Sequence, residues 1–296
     1  MTDVPKKQLP GHIAAALAGA GGSTDSAGQP WAGRELPPEE KYHNFETDDG
    51  GTDPRFAAAV ELLLAGAGSE QDVVETLAQA RVFIPIVAQL AEQTVGENGL
   101  VSDKESDMAL VTVQAPDGRR ALPVFTNSEA LSRWHPEARP VAVYAARAAL
   151  SAVAEEAQML VLDPGTDRPF VVRRPAMWAL AQQRDWLPSY LDNTVTQVLA
   201  DSVAAADNPS ILAISAGAGQ GIESLWDKKT EPSGRLVSGG GAGPELSVTI
   251  TLQPGLDQPA VEGVLHALQS YWAGNEYFAQ AVDSLEVRLR HPSPLP

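Results

Sequence analysis

Apolar residues recur at helical spacing between residues 54 and 80, after a first stretch that has no sustained apolar period. Asp53 directly before Pro54 is a typical helix start, because aspartate can cap the helix and proline is tolerated at its first position. Ser69, with Asp72 three residues later, has the spacing of a capping box and predicts the start of a second helix.

The pattern changes to strands after residue 80. Residues 81–88, RVFIPIVA, form an apolar run of strand length, in which Pro85 is expected at an edge or a bulge because it has no N–H. Residues 107–114 and 119–125 flank the turn sequence APDG, and we expect them to form a β-hairpin around it.

Thr126 and Glu129 then have the spacing of a capping box for a short helix. Beyond it, helix and strand patterns mix without a regular βαβ rhythm, first to about residue 188 and again to residue 290. The predicted fold class is therefore α+β, with two mixed α+β domains after a disordered acidic N-terminal arm. The predicted boundaries are 1–53 for the arm, 54–188 and 189–290 for the domains, and 291–296 for a tail.

The arm is predicted to be disordered because of its composition. Residues 1–53 are rich in Gly, Pro, Ser, Asp and Glu, and such a segment cannot bury enough apolar surface to offset its chain entropy.

Acidic residues outnumber basic ones in the whole chain. Its 296 residues include 21 Lys and Arg against 38 Asp and Glu, which gives a net charge of −17. This balance makes nucleic acid an unlikely partner and argues against attachment to anionic lipid, since both depend on basic residues. The exclusion of nucleic acid is weakest for residues 81–190, which hold 11 basic and 13 acidic residues.

Other absences narrow the function further. The chain has no cysteine, which excludes disulfides, thiolate zinc sites and a cysteine nucleophile. No apolar run has the length of a membrane-spanning helix, and the N-terminus is a poor match to a signal peptide. We therefore expect a cytoplasmic protein without a membrane partner.

Two glycine-rich segments resemble nucleotide-binding loops in composition, but their residue spacing does not match those loops. Residues 217–221, GAGQG, lack the third glycine of a dinucleotide fingerprint, since Ile222 stands there. Residues 239–244, GGGAGP, are not followed by the Lys-Ser/Thr of a phosphate loop. We interpret the first as a flexible inter-strand loop and the second as a long hairpin connection, and we predict no cofactor.

No catalytic or metal-binding residues are predicted either. The five histidines have no metal-ligand spacing, and neither G-x-S-x-G nor S-x-x-K is present. Asp163 and Asp167 bracket a Pro-Gly turn, and we interpret them as turn formers rather than an acid–base pair. The protein is therefore expected not to be an enzyme.

Two arginine pairs supply the candidate interaction surface. Each pair stands at the beginning or end of a predicted strand, and it can bind an anion or a peptide carboxylate if the strands are neighbours. Two aromatic residues are expected near the adjoining turn. The candidate residues are Arg119, Arg120, Arg173, Arg174, Phe125 and Trp134.

The central part of the chain resembles the SseB family, named for enhanced serine sensitivity. The resemblance covers residues 81–187 and is carried by RVFIPIVA, by DMALVTVQAPDGRRALPVFTNSEALSRW, by ARPVAV and by LVLDPGTDRPFVV. It is closest to the form found in high-GC bacteria, which also begins with an acidic arm like NFETDDGGTDP. Residues 190–290 resemble the family's C-terminal domain loosely.

The resemblance implies an α+β fold, a soluble intracellular protein and a role known only as a phenotype, without catalytic residues to carry over. With the residue patterns, it favours a non-catalytic interaction or regulatory protein that binds an unidentified protein partner. A small-ligand module that senses an amino acid and an enzyme of unrecognised type remain the alternatives. The sequence does not predict an oligomeric state.

Overall fold

The computed structural model describes residues 45, 48–90, 106–115, 117–223 and 236–292. It divides the chain into two compact units, each formed by two separate segments. The first unit is Met1–Phe56 with Leu77–Pro169, and the second is Ala57–Thr76 with Phe170–Pro296. The boundary at residues 188 and 189 stays a prediction, and the tail beyond residue 292 lies outside the described residues.

Helices and strands both contribute to each unit, so the predicted α+β fold class is confirmed. Within the described ranges, a 3-10 turn, Ser189–Leu191, precedes α6. The helices are α1 (Pro54–Leu64), α2 (Glu70–Ala78), α3 (Ser128–Trp134), α4 (Ala145–Ala154), α5 (Arg174–Gln182), α6 (Asn193–Ala206), α7 (Gln258–Gly274) and α8 (Glu276–Ala281). The strands are β1 (Arg81–Leu90), β2 (Ser106–Leu110), β3 (Val113–Gln114), β4 (Arg120–Val124), β5 (Arg139–Tyr144), β6 (Met159–Leu162), β7 (Phe170–Val172), β8 (Ile211–Ala218), β9 (Ile222–Glu223), β10 (Leu236–Val237), β11 (Leu246–Leu252) and β12 (Leu285–Arg290).

The first two helices begin where the sequence predicts. The N–H of Arg55 donates to Oδ1 of Asp53 at 2.8 Å, which caps α1. At the start of α2, the N–H of Ser69 donates to the Asp72 carboxylate at 2.9 Å, and the N–H of Asp72 donates to the Ser69 hydroxyl at 3.1 Å. Both caps are short-range side-chain bonds, which is why local sequence is enough to predict them.

The predicted hairpin around the APDG turn is confirmed in its inner part. Val113 pairs with Ala121 and Gln114 pairs with Arg120 on the two sides of the turn. The predicted first strand, 107–114, is divided, because β2 leaves the hairpin and pairs with β1 instead. Only two residues of that prediction remain in the hairpin as β3.

Pro85 lies in the middle of the central strand β1, so its predicted edge or bulge position is wrong. β5 pairs with one side of β1 over Arg81–Ile86. On the other side, Phe83 exchanges backbone hydrogen bonds with Phe125 at 2.7 and 2.8 Å, and pairing with β2 begins at Ile86. Pro85 falls where one partner ends and the next begins, and its missing N–H therefore costs no ladder bond.

The helix α3 is capped by a different residue from the one predicted. Oδ1 of Asn127 accepts the N–H of Ala130 at 2.7 Å, so Asn127, rather than Thr126, is the N-cap. The helix packs Leu131 onto Phe83 and Phe125, and these side chains form a small buried cluster of the first unit.

Residues 48–53, which the sequence assigns to the arm, belong to the first unit and bond to its other residues. The N–H of Ser128 donates to the carbonyl of Gly50 at 3.0 Å, and the hydroxyl oxygens of Thr52 and Thr126 are 2.9 Å apart. The predicted disorder is therefore wrong for this short stretch. The earlier part of the arm, residues 1–44, lies outside the described residues.

The second unit contains a sheet in the order β12-β11-β8, with β11 antiparallel to β8 and parallel to β12. Alternate residues of β11, from Leu246 to Leu252, are buried against α6 and α7. Trp272 of α7 is buried there, and its indole N–H donates to the Ser202 hydroxyl of α6 at 2.9 Å. Burial of the indole N–H costs little because it is paired.

Among the described residues, no helix is both long enough and apolar enough to cross a bilayer.

Phe125 provides a test of the first unit's core. Its side chain is fully buried, and we expect Phe125→Ala to lower the free energy of unfolding by about 3–5 kcal/mol, because the substitution leaves a cavity. Leu150→Ala, on the partly exposed face of α4, serves as the control and should cost less than about 1 kcal/mol. Urea unfolding measures both. An equal loss in the two variants would contradict the buried position of Phe125.

Candidate functional site

The predicted surface residues are divided between the two units. Arg119 and Arg120 lie in the first unit at the start of β4, together with Phe125 and Trp134, whereas Arg173 and Arg174 lie in the second unit. Phe125 has no exposed surface, and its ring centroid is 5.3 Å from that of the half-buried Trp134. Phe125 is thus a core residue and is unavailable to a partner.

Arg119 and Arg120 line an open groove of about 770 Å³ beside the β3–β4 turn. Nε of Arg119 donates to Oδ2 of Asp117 at 2.7 Å, within the turn itself. Nη1 of Arg120 donates to the carbonyl of Glu155 at 3.0 Å and lies 3.7 Å from Oε2 of Glu156. The polar residues along the groove include Thr112, Gln114 and Gln158.

The groove is lined by both charged and amide side chains. Hydrogen bonds from the backbone N–H and the guanidinium of Arg119 hold the pKa of the Asp117 carboxyl below its usual value, so the turn keeps a negative charge beside the guanidinium. Arg120 remains about half exposed, and its guanidinium can pair with a carboxylate. The glutamine amides supply additional donors and acceptors for a backbone or a side chain.

Arg173 is not on the surface but in a buried ion pair of the second unit. Its Nη1 donates to Oε1 of Glu70 at 3.1 Å, and both side chains are 3% exposed. Its Nη2 donates to the carbonyls of Gly241 and Gly243 at 2.6 and 2.8 Å. The prediction that Arg173 contributes to an interaction surface is therefore at odds with its position, because all of these donors are used inside the unit.

The carboxylate of Glu70 is equally enclosed. It accepts the N–H of Gly240 at 2.9 Å and the hydroxyl of Tyr190 at 3.2 Å in addition to Arg173. Burial raises the pKa of Glu70 above its ordinary value, although the nearby Arg173 guanidinium acts in the opposite direction. Burial and the adjacent Glu70 carboxylate also raise the pKa of the Tyr190 hydroxyl.

The backbone of the segment GGGAGP packs against this ion pair. Gly239 has a φ of +98°, and a Cβ there would lie 2.4 Å from the Cβ of Glu70, so that only glycine fits. The segment connects β10 and β11, but β10 pairs with β9 whereas β11 pairs with β8 and β12, so the predicted hairpin connection is wrong. Its backbone instead bonds to the buried Glu70 and Arg173 side chains.

Close packing also explains glycine in the other glycine-rich segment, residues 217–221. Gly217 belongs to β8, and a Cβ on Gly219 would lie 1.9 Å from the carbonyl oxygen of Pro244. The interpretation of residues 217–221 as a flexible loop is therefore wrong at Gly217, which pairs with Ser247.

A second buried carboxylate of the unit accepts hydrogen bonds from backbone N–H groups. Glu245 is 2% exposed, and its two oxygens accept the N–H groups of Ser189 at 3.1 Å and Asp283 at 2.9 Å. Glu245 thereby joins the 3-10 turn to the segment before β12. Sequence analysis did not find Glu70 or Glu245, since neither lies in a motif and each partner is distant along the chain.

Arg174 lines a smaller cavity of the second unit, of about 400 Å³. Its Nη2 donates to the carbonyls of Ala279 and Val282 at 2.8 and 3.2 Å, near the end of α8. Trp178, one turn further along α5, has 44% of its surface exposed at the same cavity. Arg184 is a further lining residue, so that the cavity combines an indole with two guanidinium groups.

Two polar contacts of the first unit were also missed. Arg81 forms a two-pronged ion pair with Asp48, with its Nη2 and Nε at 2.7 and 2.9 Å from the two carboxylate oxygens. Asp163 accepts the backbone N–H and the hydroxyl of Thr126 at 2.8 and 2.6 Å, and burial raises the pKa of Asp163 despite these bonds. The first contact tethers the end of the predicted arm, and the second explains why Thr126 is not a helix cap.

These polar clusters do not resemble a metal centre. In the ranges that the structure describes, no three His, Asp or Glu side chains gather where they could hold a metal ion. The carboxylates at Asp48, Glu70 and Asp163 accept hydrogen bonds from side chains of their own unit.

Comparison with known families identifies the central part of the chain. Residues 57–179 match the family model described as the SseB protein N-terminal domain, which confirms the resemblance seen in the sequence. The match begins earlier than the resemblance, at residue 57 rather than 81, and thus includes most of α1 and all of α2. No curated protein matches the sequence.

The buried ion pair predicts a pH-dependent cost for Arg173→Met. At neutral pH the variant should lose about 3–5 kcal/mol of unfolding free energy, because a buried carboxylate is left without its cation. The pKa of Glu70 in the folded protein is raised above 4.5, so the folded state holds the proton more tightly than the unfolded state. The contribution of Glu70 to stability therefore falls as pH rises through the raised pKa.

Removal of the guanidinium should enlarge this fall, so the deficit of Arg173→Met relative to the wild type grows from pH 4 to pH 7. Urea unfolding at the two pH values measures it, and Arg184→Met, at an exposed position of the same unit, is the control. A deficit that is the same at both values would refute the coupling between Arg173 and Glu70.

Proposed function

We propose, from the premise that this chain carries an SseB protein N-terminal domain, that it is a non-catalytic interaction or regulatory protein. The proposed contact surface is the groove beside the β3–β4 turn, with Arg119 and Arg120 as its cationic residues. The partner is a protein segment that offers a carboxylate, and the proposed compartment is the cytoplasm.

One observation carries this proposal. The groove of about 770 Å³ combines a half-exposed guanidinium with amide side chains and a two-residue strand, β3, that lies at the edge of its sheet among the described residues. These groups recognise a carboxylate or an extended chain by hydrogen bonds and charge. The buried carboxylates elsewhere in the two units support a non-catalytic role, because they are engaged in contacts that hold the fold together.

The groove can be tested by crosslinking in cells from a defined position. A photoreactive amino acid at Gln158, which lines the groove and is exposed, should capture a partner that mass spectrometry identifies. Arg120→Glu should lower the yield of that crosslink by about tenfold or more, since it replaces the attractive charge by a repulsive one. The same photoreactive residue at Ser132, exposed on α3, is the positional control.

Arg133→Glu is the matched charge control, because Arg133 is exposed on the same unit and 70% of its side chain is accessible. Recovery of self-crosslinks alone, or of a partner whose yield is indifferent to Arg120→Glu, would reject the groove as the contact surface.

A second candidate function, the sensing of a small ligand such as an amino acid, is favoured by the cavity at Trp178. An indole beside the guanidinium groups of Arg174 and Arg184 suits a ligand with a carboxylate and an apolar part. The cavity volume of about 400 Å³ is within the range of small-molecule sites. An enzyme of unrecognised type has no such supporting observation.

The sensing function predicts thermal stabilisation by the right ligand. A ligand that binds only the folded protein at about 100 times its Kd adds about 2.7 kcal/mol of stability and raises the Tm. A thermal-shift screen of the amino acids should identify it, and Arg184→Gln should abolish the shift without changing the Tm of the free protein. A flat screen, or a shift that survives Arg184→Gln, would exclude this cavity as the sensor.

A further inference from the structure

The strand β8 forms one edge of the second unit's sheet. The order is β12-β11-β8, and within the described residues β8 pairs with β11 alone. One long side of β8 is therefore left without a neighbouring strand in the part of the chain that the structure describes.

The phase of the ladder shows which backbone groups face this open side. Ser215 lies opposite Thr249, and beyond the strand the N–H of Gly219 donates to the carbonyl of Glu245 at 2.7 Å. Residues of an antiparallel pair alternate between those that exchange hydrogen bonds with the partner and those that do not. Since Gly219 belongs to the bonded set, so do the residues two and four positions before it. The residues of the alternate set, Ile214, Ala216 and Ala218, direct their N–H and C=O groups outward.

This edge lacks the usual protection against strand addition. Edge strands commonly carry charged residues or proline, which discourage another chain from pairing with them. β12, at the opposite edge, carries Glu286, Arg288 and Arg290, whereas Ile211–Ala218 contains no charged residue and no proline. Leu212, at the register shift near the start of β8, has 48% of its surface exposed. In the described part of the chain, the edge is thus unpaired, apolar and uncharged.

The charge around β8 selects the kind of chain that can add to it. From Asp185 to Glu223, a segment that includes the 3-10 turn, α6 and β8, the sequence has five acidic residues and no Lys or Arg. Asp201 and Asp207 are exposed, and Asp207 stands four residues before β8 begins. A second copy would bring the same acidic segment against itself, whereas a chain with basic residues would be attracted.

We infer that β8 binds an extended segment of another protein, which adds to the sheet as an antiparallel strand. The segment has about five to seven uncharged residues, the common length of a strand, and Lys or Arg at its ends. Main-chain hydrogen bonds to Ile214, Ala216 and Ala218 hold it, and the acidic segment around β8 attracts its ends. This site is in a different unit from the Arg119–Arg120 groove and does not depend on it.

Amide hydrogen exchange in the full chain, followed by NMR, tests the open edge directly. In the free protein, the amides of Ile214, Ala216 and Ala218 should exchange at least about tenfold faster than those of Ala213, Ser215 and Gly217, which face β11. Equal protection of the two sets would show that the edge is already covered and would overturn the inference.

The probe is a synthetic peptide with a Thr-Val-Thr-Val-Thr centre and two lysines at each end. It should slow the three outward amides at least about tenfold, and its affinity should weaken at high salt because the attraction is screened. A peptide with glutamates in place of the lysines should bind at least about tenfold more weakly. Absence of protection by the lysine peptide, or equal binding of both peptides, would refute the inference. Protection that appears with protein concentration alone, with dimers in sedimentation, would assign the edge to a second copy instead.

Two variants separate the edge from the rest of the sheet. Ala216→Pro removes an outward N–H but no bond to β11, so it should abolish peptide binding with little change in Tm. If this variant fails to fold, Ser215→Lys provides the same test, because it adds a repulsive charge at the edge. Thr249→Lys, which adds the same charge opposite Ser215 on the central strand, is its matched control. If the peptide binds both Ser215→Lys and Thr249→Lys as tightly as the wild type, it does not bind at the β8 edge, and the inference is refuted.

Discussion

The guanidinium of Arg173 and the carboxylate of Glu70 are 103 residues apart in the sequence, and neither can remain buried without the other. Their pairing brings the start of α2 to the start of α5 within the second unit, and it also requires the backbone of GGGAGP on its other side. Buried charges need several hydrogen bonds to offset their lost hydration, which explains why a loop with so little side-chain bulk stands there. The loop is fixed by the charges that it encloses.

Sequence patterns predict those parts of this fold that depend on near neighbours. The caps of α1 and α2 are bonds across two or three residues, and the turn of the β3–β4 hairpin is a four-residue signal. Thr126 has an equally good local pattern but bonds to Asp163, 37 residues further on, so that Asn127 caps the helix instead. A distant partner overrides a local preference when it satisfies a buried group.

Exposure is the property that local patterns predict least well in the candidate sites. Arg120 and Arg173 both adjoin a strand in an Arg-Arg pair, yet about half of the Arg120 side chain is exposed whereas Arg173 is buried. The difference depends on Glu70, which no motif marks. Local patterns also do not explain why glycine is needed at position 239. Gly239 is required because its backbone lies close to Glu70, not because the turn is flexible. The resemblance to a family identified the domain, but the contacts of these residues emerge only when distant segments meet.

The division of the chain into interleaved units has a consequence for biosynthesis. Residues 57–76 belong to the second unit, but the whole of residues 77–169 is made before the rest of that unit begins. A ribosome that adds about 5–20 residues per second needs roughly 5–20 s to pass from Glu70 to Arg173. At the end of that interval the first unit has been synthesised in full, whereas nearly all of residues 170–296 of the second unit remain to be made. Glu70 therefore stays hydrated and unpaired with Arg173 until residue 173 has been added. The order of translation thus separates the folding of the two units in time.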